Sequence, residues 1–271
     1  MKIHPSNVFA VMAALATSCA LTAISLAAGA PQVARLADGH PDFNGTWDNG
    51  NGYDFIQPQK GADGSICISG CKPAGGGAAP ARVVTPPDRP KYRPEWLAKV
   101  KELSDRQVEA DPVLRCKSPG LPRIGPPDKI VQRPGEVVFL YDDVSGSFWR
   151  IIPTDGRKHR EDADEAYLGT AVGHWEGDTL VVETIGFNAD TWLTDDGAFH
   201  TTDLRVVERL TRAGAMMEWQ ATAFDPAVLA EPWKLRPRRM ALVTTELQEP
   251  VPCIEQDLKH VVDGTHHDNP R

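Results

Sequence analysis

The chain has no phosphate-cradling Gly-Lys-Ser/Thr loop, no glycine-rich dinucleotide turn, no Gly-x-Ser-x-Gly elbow and no His-Glu-x-x-His. Nucleotide hydrolysis, Rossmann-type redox chemistry, α/β-hydrolase chemistry and zincin proteolysis therefore lack their signatures. Cys-x-x-Cys-His, the haem attachment sequence, is missing as well, so no cofactor is expected. There is no basic block either: 29 Lys and Arg face 37 Asp and Glu, for a net charge of −8. Such a chain is a poor partner for nucleic acid or for an anionic membrane surface. Beyond the first 30 residues no segment approaches the roughly 18 consecutive apolar residues of a membrane span. No repeat of propeller or solenoid period is found.

What is present is globular chemistry with many turns. Hydrophobic residues are 41% and charged residues 24% of 271. The 23 glycines and 23 prolines exceed the usual background of roughly 12%. That argues against a helical bundle, and the length suits one large domain with a real core. Residues 1–30 read as a secretory signal peptide. Lys2 is the positive n-region, 8–15 the apolar stretch, and Ser25-Leu26-Ala27 and Ala28-Gly29-Ala30 the candidate cleavage sites. The expected location is the periplasm or the cell exterior; a lipoprotein acylated at Cys19 is the alternative. In an oxidising compartment Cys67, Cys71, Cys116 and Cys253 read as two disulfides. Four cysteines allow three pairings. Cys67-Ile-Ser-Gly-Cys71 can close a small local loop, which would leave Cys116 to join Cys253. A metal site is not expected, because no second close Cys or His pair has zinc spacing.

Four segments follow from the pattern. Residues 1–30 are the signal, 31–93 an irregular arm rich in Gly and Pro, 94–258 a helix plus an antiparallel β-barrel-like domain, and 259–271 a polar tail. The helix is expected over 94–110, with Pro94 at its first position, Trp96, Val100, Leu103 and Val108 on one face, and a stop before Asp111-Pro112. Residues 119–134 read as a proline-laden loop. Strands are expected at 136–141, 147–152, 170–175, 179–185, 204–212, 216–224, 233–242 and 247–254. Successive strands with tight turns and no helix between them make an antiparallel meander. A meander of this length hides its edges by closing into a barrel or half-barrel. The fold class is therefore mainly β.

Several blocks occur in a fixed order: Asp42-Phe-Asn-Gly-Thr-Trp47, Arg115-Cys116, Arg150-Ile-Ile-Pro-Thr-Asp-Gly-Arg157, Trp175-Glu-Gly-Asp-Thr-Leu-Val-Val182, Gly186-Phe-Asn188, Thr191-Trp-Leu193, His200-Thr201 and Val207-Glu-Arg209. Over roughly residues 42–255 the chain resembles a family of secreted bacterial proteins of soil and water proteobacteria and acidobacteria. The resemblance implies a cysteine near each end of the barrel region, matching Cys116 and Cys253, and it implies no particular reaction. Relatives often carry an acid two residues after the histidine, where this chain has Thr202, followed by Asp203. The Gly45-Thr-Trp47 opening before a meander is also calycin-like.

Candidate site residues come from alternation and loop position. On strand 204–212, Leu204, Val206, Glu208 and Leu210 share a face. An acid there must be paired or protonated. Glu208 therefore reads as a general acid or base, or as an ion-pair partner of a neighbouring-strand arginine such as Arg150 or Arg238. His200 follows a polar loop of the kind that gathers catalytic groups at a barrel mouth. Arg150 would hold a developing negative oxygen. Trp192 would stack on the ligand, and Asp190 and His159 would help bind it. The leading reading is a secreted, cofactor-independent enzyme using acid–base chemistry on a small, partly apolar molecule: a lyase, hydratase, isomerase or hydrolase. The alternative is a non-catalytic, lipocalin-like periplasmic binding protein for such a molecule. A third is an envelope interaction module. Oligomeric state is left open.

Overall fold

The computed structural model describes residues 33–48, 59–60, 66–67, 88–160, 162–249 and 253. Twelve strands are present among them: β1 (Gly45–Asp48), β2 (Gln59–Lys60), β3 (Ile66–Cys67), β4 (Lys129–Arg133), β5 (Glu136–Asp143), β6 (Gly146–Pro153), β7 (Thr170–Glu176), β8 (Thr179–Ile185), β9 (Arg205–Ala213), β10 (Met216–Phe224), β11 (Trp233–Lys234) and β12 (Arg238–Val243). β2 and β3 pair only with each other. The main sheet runs β6-β5-β4-β1-β12-β10-β9-β8-β7, with β11 added to β10. It is antiparallel throughout and nearly closes into a barrel, so the protein is mainly β, as expected.

Local sequence explains most elements. The β7–β8 and β9–β10 hairpins are two-residue turns opened by Gly177 and Gly214, at φ +59° and +62°. A left-handed residue there matches the twist of the strands it joins. Inward residues alternate with outward ones, so Val137, Phe139 and Tyr141 of β5 meet Ile152, Arg150 and Phe148 of β6. The lumen is filled by side chains: Trp47, Phe139, Tyr141, Leu180, Leu210 and Trp219 are fully buried. The hairpin end is plugged by Phe43 and by His40, which stacks on Trp175 with centroids 4.4 Å apart. The other end carries the long loops.

The structure corrects several expected boundaries. Residues 119–134 are not all loop, because β4 alternates with Ile130 and Gln132 inward. Gln132 is polar yet buried, since its side chain accepts Phe43 N–H at 2.7 Å and donates to Pro41 O at 3.2 Å. The expected strand 233–242 is two strands, broken before Pro237, which has no N–H for a ladder. Leu247–Glu249 is not a strand, and the rest of expected strand 247–254 lies outside the described residues apart from Cys253. The helical region ends at Ala110 as expected, but a break at Arg106 divides α1 (Leu97–Asp105) from α2 (Gln107–Ala110). Trp96, Val100 and Leu103 pack on the barrel core. Among the described residues no helix is long and apolar enough to cross a membrane.

Cys116 and Cys253 form a disulfide, with Cα atoms 5.6 Å apart. The expected Cys67–Cys71 bridge lies outside the described side chains.

One strand end carries a pH signature. Asp128, just before β4, accepts Asp142 N–H at 2.7 Å. Burial, with Asp142 and Asp143 nearby, still pushes its carboxyl up to about 6. The folded state thus binds this proton more tightly than the unfolded state does. That contribution is full below the ordinary carboxylate pKa and is lost as pH rises through about 6. Asp128→Asn keeps an acceptor and removes the charge. In urea melts it is expected to stabilise by about 1–2 kcal/mol at pH 8, after allowing for solvent screening, and by nothing at pH 4. A gain that does not depend on pH would contradict this.

Candidate functional site

Strand parity makes an opening in the barrel wall. Every ladder along the path of nine strands is antiparallel, so direction reverses at each step. Nine is odd, so the first strand, β6, and the last, β7, point the same way. A parallel pair needs a long crossover rather than a hairpin, and residues 154–169 supply it. No ladder joins β6 to β7. They approach at Gly173, where a Cβ would come 3.0 Å from the side chains of Ile152 and Thr154.

A cleft of about 360 Å³ lies along this seam. From β6 it takes Trp149, Arg150 and Ile151. From the crossover it takes Arg157, Lys158, His159 and Arg160. No Asp or Glu is in the lining. Arg157 is committed to Asp155 and Arg160 to Asp162. The His159 side chain is only 15% exposed, and both its ring nitrogens are buried without a hydrogen bond. Its nearest acid is Glu183, at 3.5 Å from Nε2, and Glu183 is also held by Arg205 at 3.0 Å. Outward on β6, Trp149 is 64% exposed and Ile151 48%. The cleft therefore offers an imidazole with unfilled hydrogen-bonding capacity, a lysine and an apolar shelf, and the one acid within reach of the ring, Glu183, is shared with Arg205.

Arg150 and Glu208 meet inside the barrel. Glu208 faces the interior with Val206 and Leu210, as the alternation required, and is fully buried. Arg150 Nη1 donates to Glu208 Oε2 at 2.6 Å and to the Tyr141 hydroxyl at 3.0 Å. Arg150 Nη2 donates to Thr184 Oγ1 at 2.6 Å, and Trp219 Nε1 donates to Glu208 Oε1 at 3.0 Å. Of the two chemical outcomes for Glu208, this is the ion pair. The partner comes from across the lumen rather than from the neighbouring strand. Burial works against the guanidinium's charge, but Glu208 and Tyr141 outweigh it, and its pKa is raised. Only Nε of Arg150 is left buried and unpaired.

His200 and Trp192 lie elsewhere. The 188–200 loop sits at the loop-bearing end, but its histidine turns inward. Nδ1 donates to Thr201 O at 2.9 Å, so Nε2 accepts from the Thr191 hydroxyl at 2.7 Å. Burial lowers its pKa, opposed by the Thr201 bond and Asp225, so the ring is held neutral. Trp192 is buried, with the Arg123 guanidinium 5.9 Å from its ring centre. Asp190 is exposed, 3.9 Å from Lys117 Nζ. The structure therefore brings Arg150 to Glu208 and places Arg150 with His159 on the seam; it does not bring His200 or Trp192 to either. Trp149 and Lys158 were missed as site residues. Once Arg150 is inward, alternation makes Trp149 an outward tryptophan, and that signal was present in the sequence.

Comparison of the chain with protein-family models, curated proteins and solved structures finds no match.

Proposed function

We propose that the protein binds a small amphiphilic anion in the seam cleft and acts outside the cytoplasm. The observation that carries this is His159, whose two ring nitrogens are buried without a hydrogen bond, Nε2 lying 3.5 Å from Glu183, in a cleft whose lining holds no acid. A buried polar group without a partner is costly, and an anionic head accepting from the imidazole removes that cost. Lys158 adds a cation at the rim, and Trp149 and Ile151 present an apolar shelf for the rest of the ligand. The Cys116–Cys253 disulfide is consistent with an oxidising compartment.

Binding is favoured over catalysis by the state of the groups expected to move protons. The Glu208 carboxylate is spent on Arg150 and Trp219, and His200 is spent on Thr191 and Thr201. An enzyme built on the seam would have to use His159 instead.

Isothermal titration with octyl phosphate tests the reading. His159→Ala is expected to weaken binding at least about tenfold, and Trp149→Ala several-fold. Trp149 is exposed, so its replacement should leave the fold intact. Unchanged affinity in His159→Ala, or no binding by the wild-type chain, would overturn it.

A further inference from the structure

A second cleft, of about 630 Å³, lies at the loop-bearing end, away from the seam. Its walls come from the 193–196 loop, the turn after β5 and the start of β12. Four arginines and four aspartates line it: Arg89, Arg123, Arg236 and Arg238 against Asp88, Asp143, Asp195 and Asp196.

Most are spent inside the protein. Arg89 pairs with Asp196 at 2.6 Å. Arg123 makes a two-pronged bond to Asp111, 2.7 Å at each prong. Asp88 accepts from Trp233 Nε1 at 3.1 Å and from Arg236 N–H at 2.6 Å. Asp143 accepts from the backbone and hydroxyl of Ser145 at 2.9 and 2.7 Å. Asp195 and Arg236 also have partners. Arg238 is different. Among the described residues no hydrogen bond or ion pair holds its guanidinium. The residue remains open to solvent. Yet enough protein surrounds the charge that burial lowers its pKa, with the fields of Asp88 and Asp195 opposing. A Cβ on Gly125 would stand 2.8 Å from Nη1, so the arginine lies against bare backbone there.

An arginine fork with free prongs in a cleft lining matches a planar, doubly accepting anion, which satisfies both prongs at once. Val144, 57% exposed, and Pro237 line the same cleft and add apolar surface to it. We propose that this cleft is a second binding site, specific for a small carboxylate with an apolar body, and that Arg238 is the residue that grips the acid group. It is independent of the seam cleft, with which it shares no lining residue.

The test is titration calorimetry of the full chain with benzoate, in parallel with octyl phosphate. Arg238→Gln is expected to weaken benzoate at least about tenfold, and Arg238→Lys, which keeps the charge but loses the fork, by an intermediate factor. Octyl phosphate binding should be untouched by both. His159→Ala should do the reverse, so the two sites fail separately. Benzoate binding that survives Arg238→Gln, that is lost in His159→Ala instead, or that is absent from the wild-type chain overturns the proposal.

Discussion

Glu208→Gln should destabilise the fold by about 3–5 kcal/mol in urea unfolding, more than any surface change on this protein. The substitution keeps shape and an acceptor for Trp219, but it leaves the Arg150 charge inside a filled lumen without its counter-ion. The reason lies in the asymmetry of buried pairs. Taking both ions out of water is expensive, and their mutual attraction with Tyr141, Thr184 and Trp219 around them roughly repays that cost. Removing one side leaves the expense and cancels the repayment. Arg150→Met combined with Glu208→Gln should therefore recover much of the loss, because no unpaired charge remains. A single variant within about 1 kcal/mol of wild type would mean that water reaches the pair, and the burial of Arg150 and Glu208 described above would be wrong.

The second large effect concerns the disulfide. Cys116 and Cys253 are 137 residues apart in sequence, so the bond closes a long loop in the unfolded chain. In the chain-entropy model a loop of this length contributes roughly 5 kcal/mol, and measured losses for native bridges run about 2–5 kcal/mol. Cys116→Ala with Cys253→Ala should cost that much in denaturant melts under oxidising conditions. Adding reductant should lower the wild-type midpoint toward that of the double variant and leave the double variant nearly unmoved. Equal midpoints for the two oxidised proteins would show that the bond constrains little.

These two predictions differ in how far they were legible. Pairing of Cys116 with Cys253 was readable from cysteine number and spacing. The Glu208 environment was half readable. Alternation on its strand fixed which way the side chain points, and burial then demanded a partner. Which arginine answers depends on what faces it across the lumen, and periodicity along one strand carries no information about that. His200 shows the opposite limit. A histidine after a polar loop looks available, and nothing local reveals that Thr191 and Thr201 occupy both ring nitrogens.

Strand reading succeeded where alternation and a Gly-x turn coincided: β8 and β10 fall on their expected residues. It failed at β4, whose inward positions are one isoleucine and a glutamine, and at β1, a four-residue strand in a segment expected to be irregular. Those omissions hid the seam. Eight strands can alternate all the way round, and nine cannot. The cleft that gathers Arg150 and His159 is thus a product of a strand count, and no single residue announces it.

The placement of β1 has a consequence for the order of assembly. By register, Thr46 sits beside Val243 on one side and Lys129 on the other. A chain emerging N-terminus first presents β1 among the earliest strands and β12 among the last. While the ribosome still holds the C-terminal segment, β1 has no neighbour on the β12 side, and the wall cannot be completed. Closure of the wall on that side is therefore deferred until β12 has emerged.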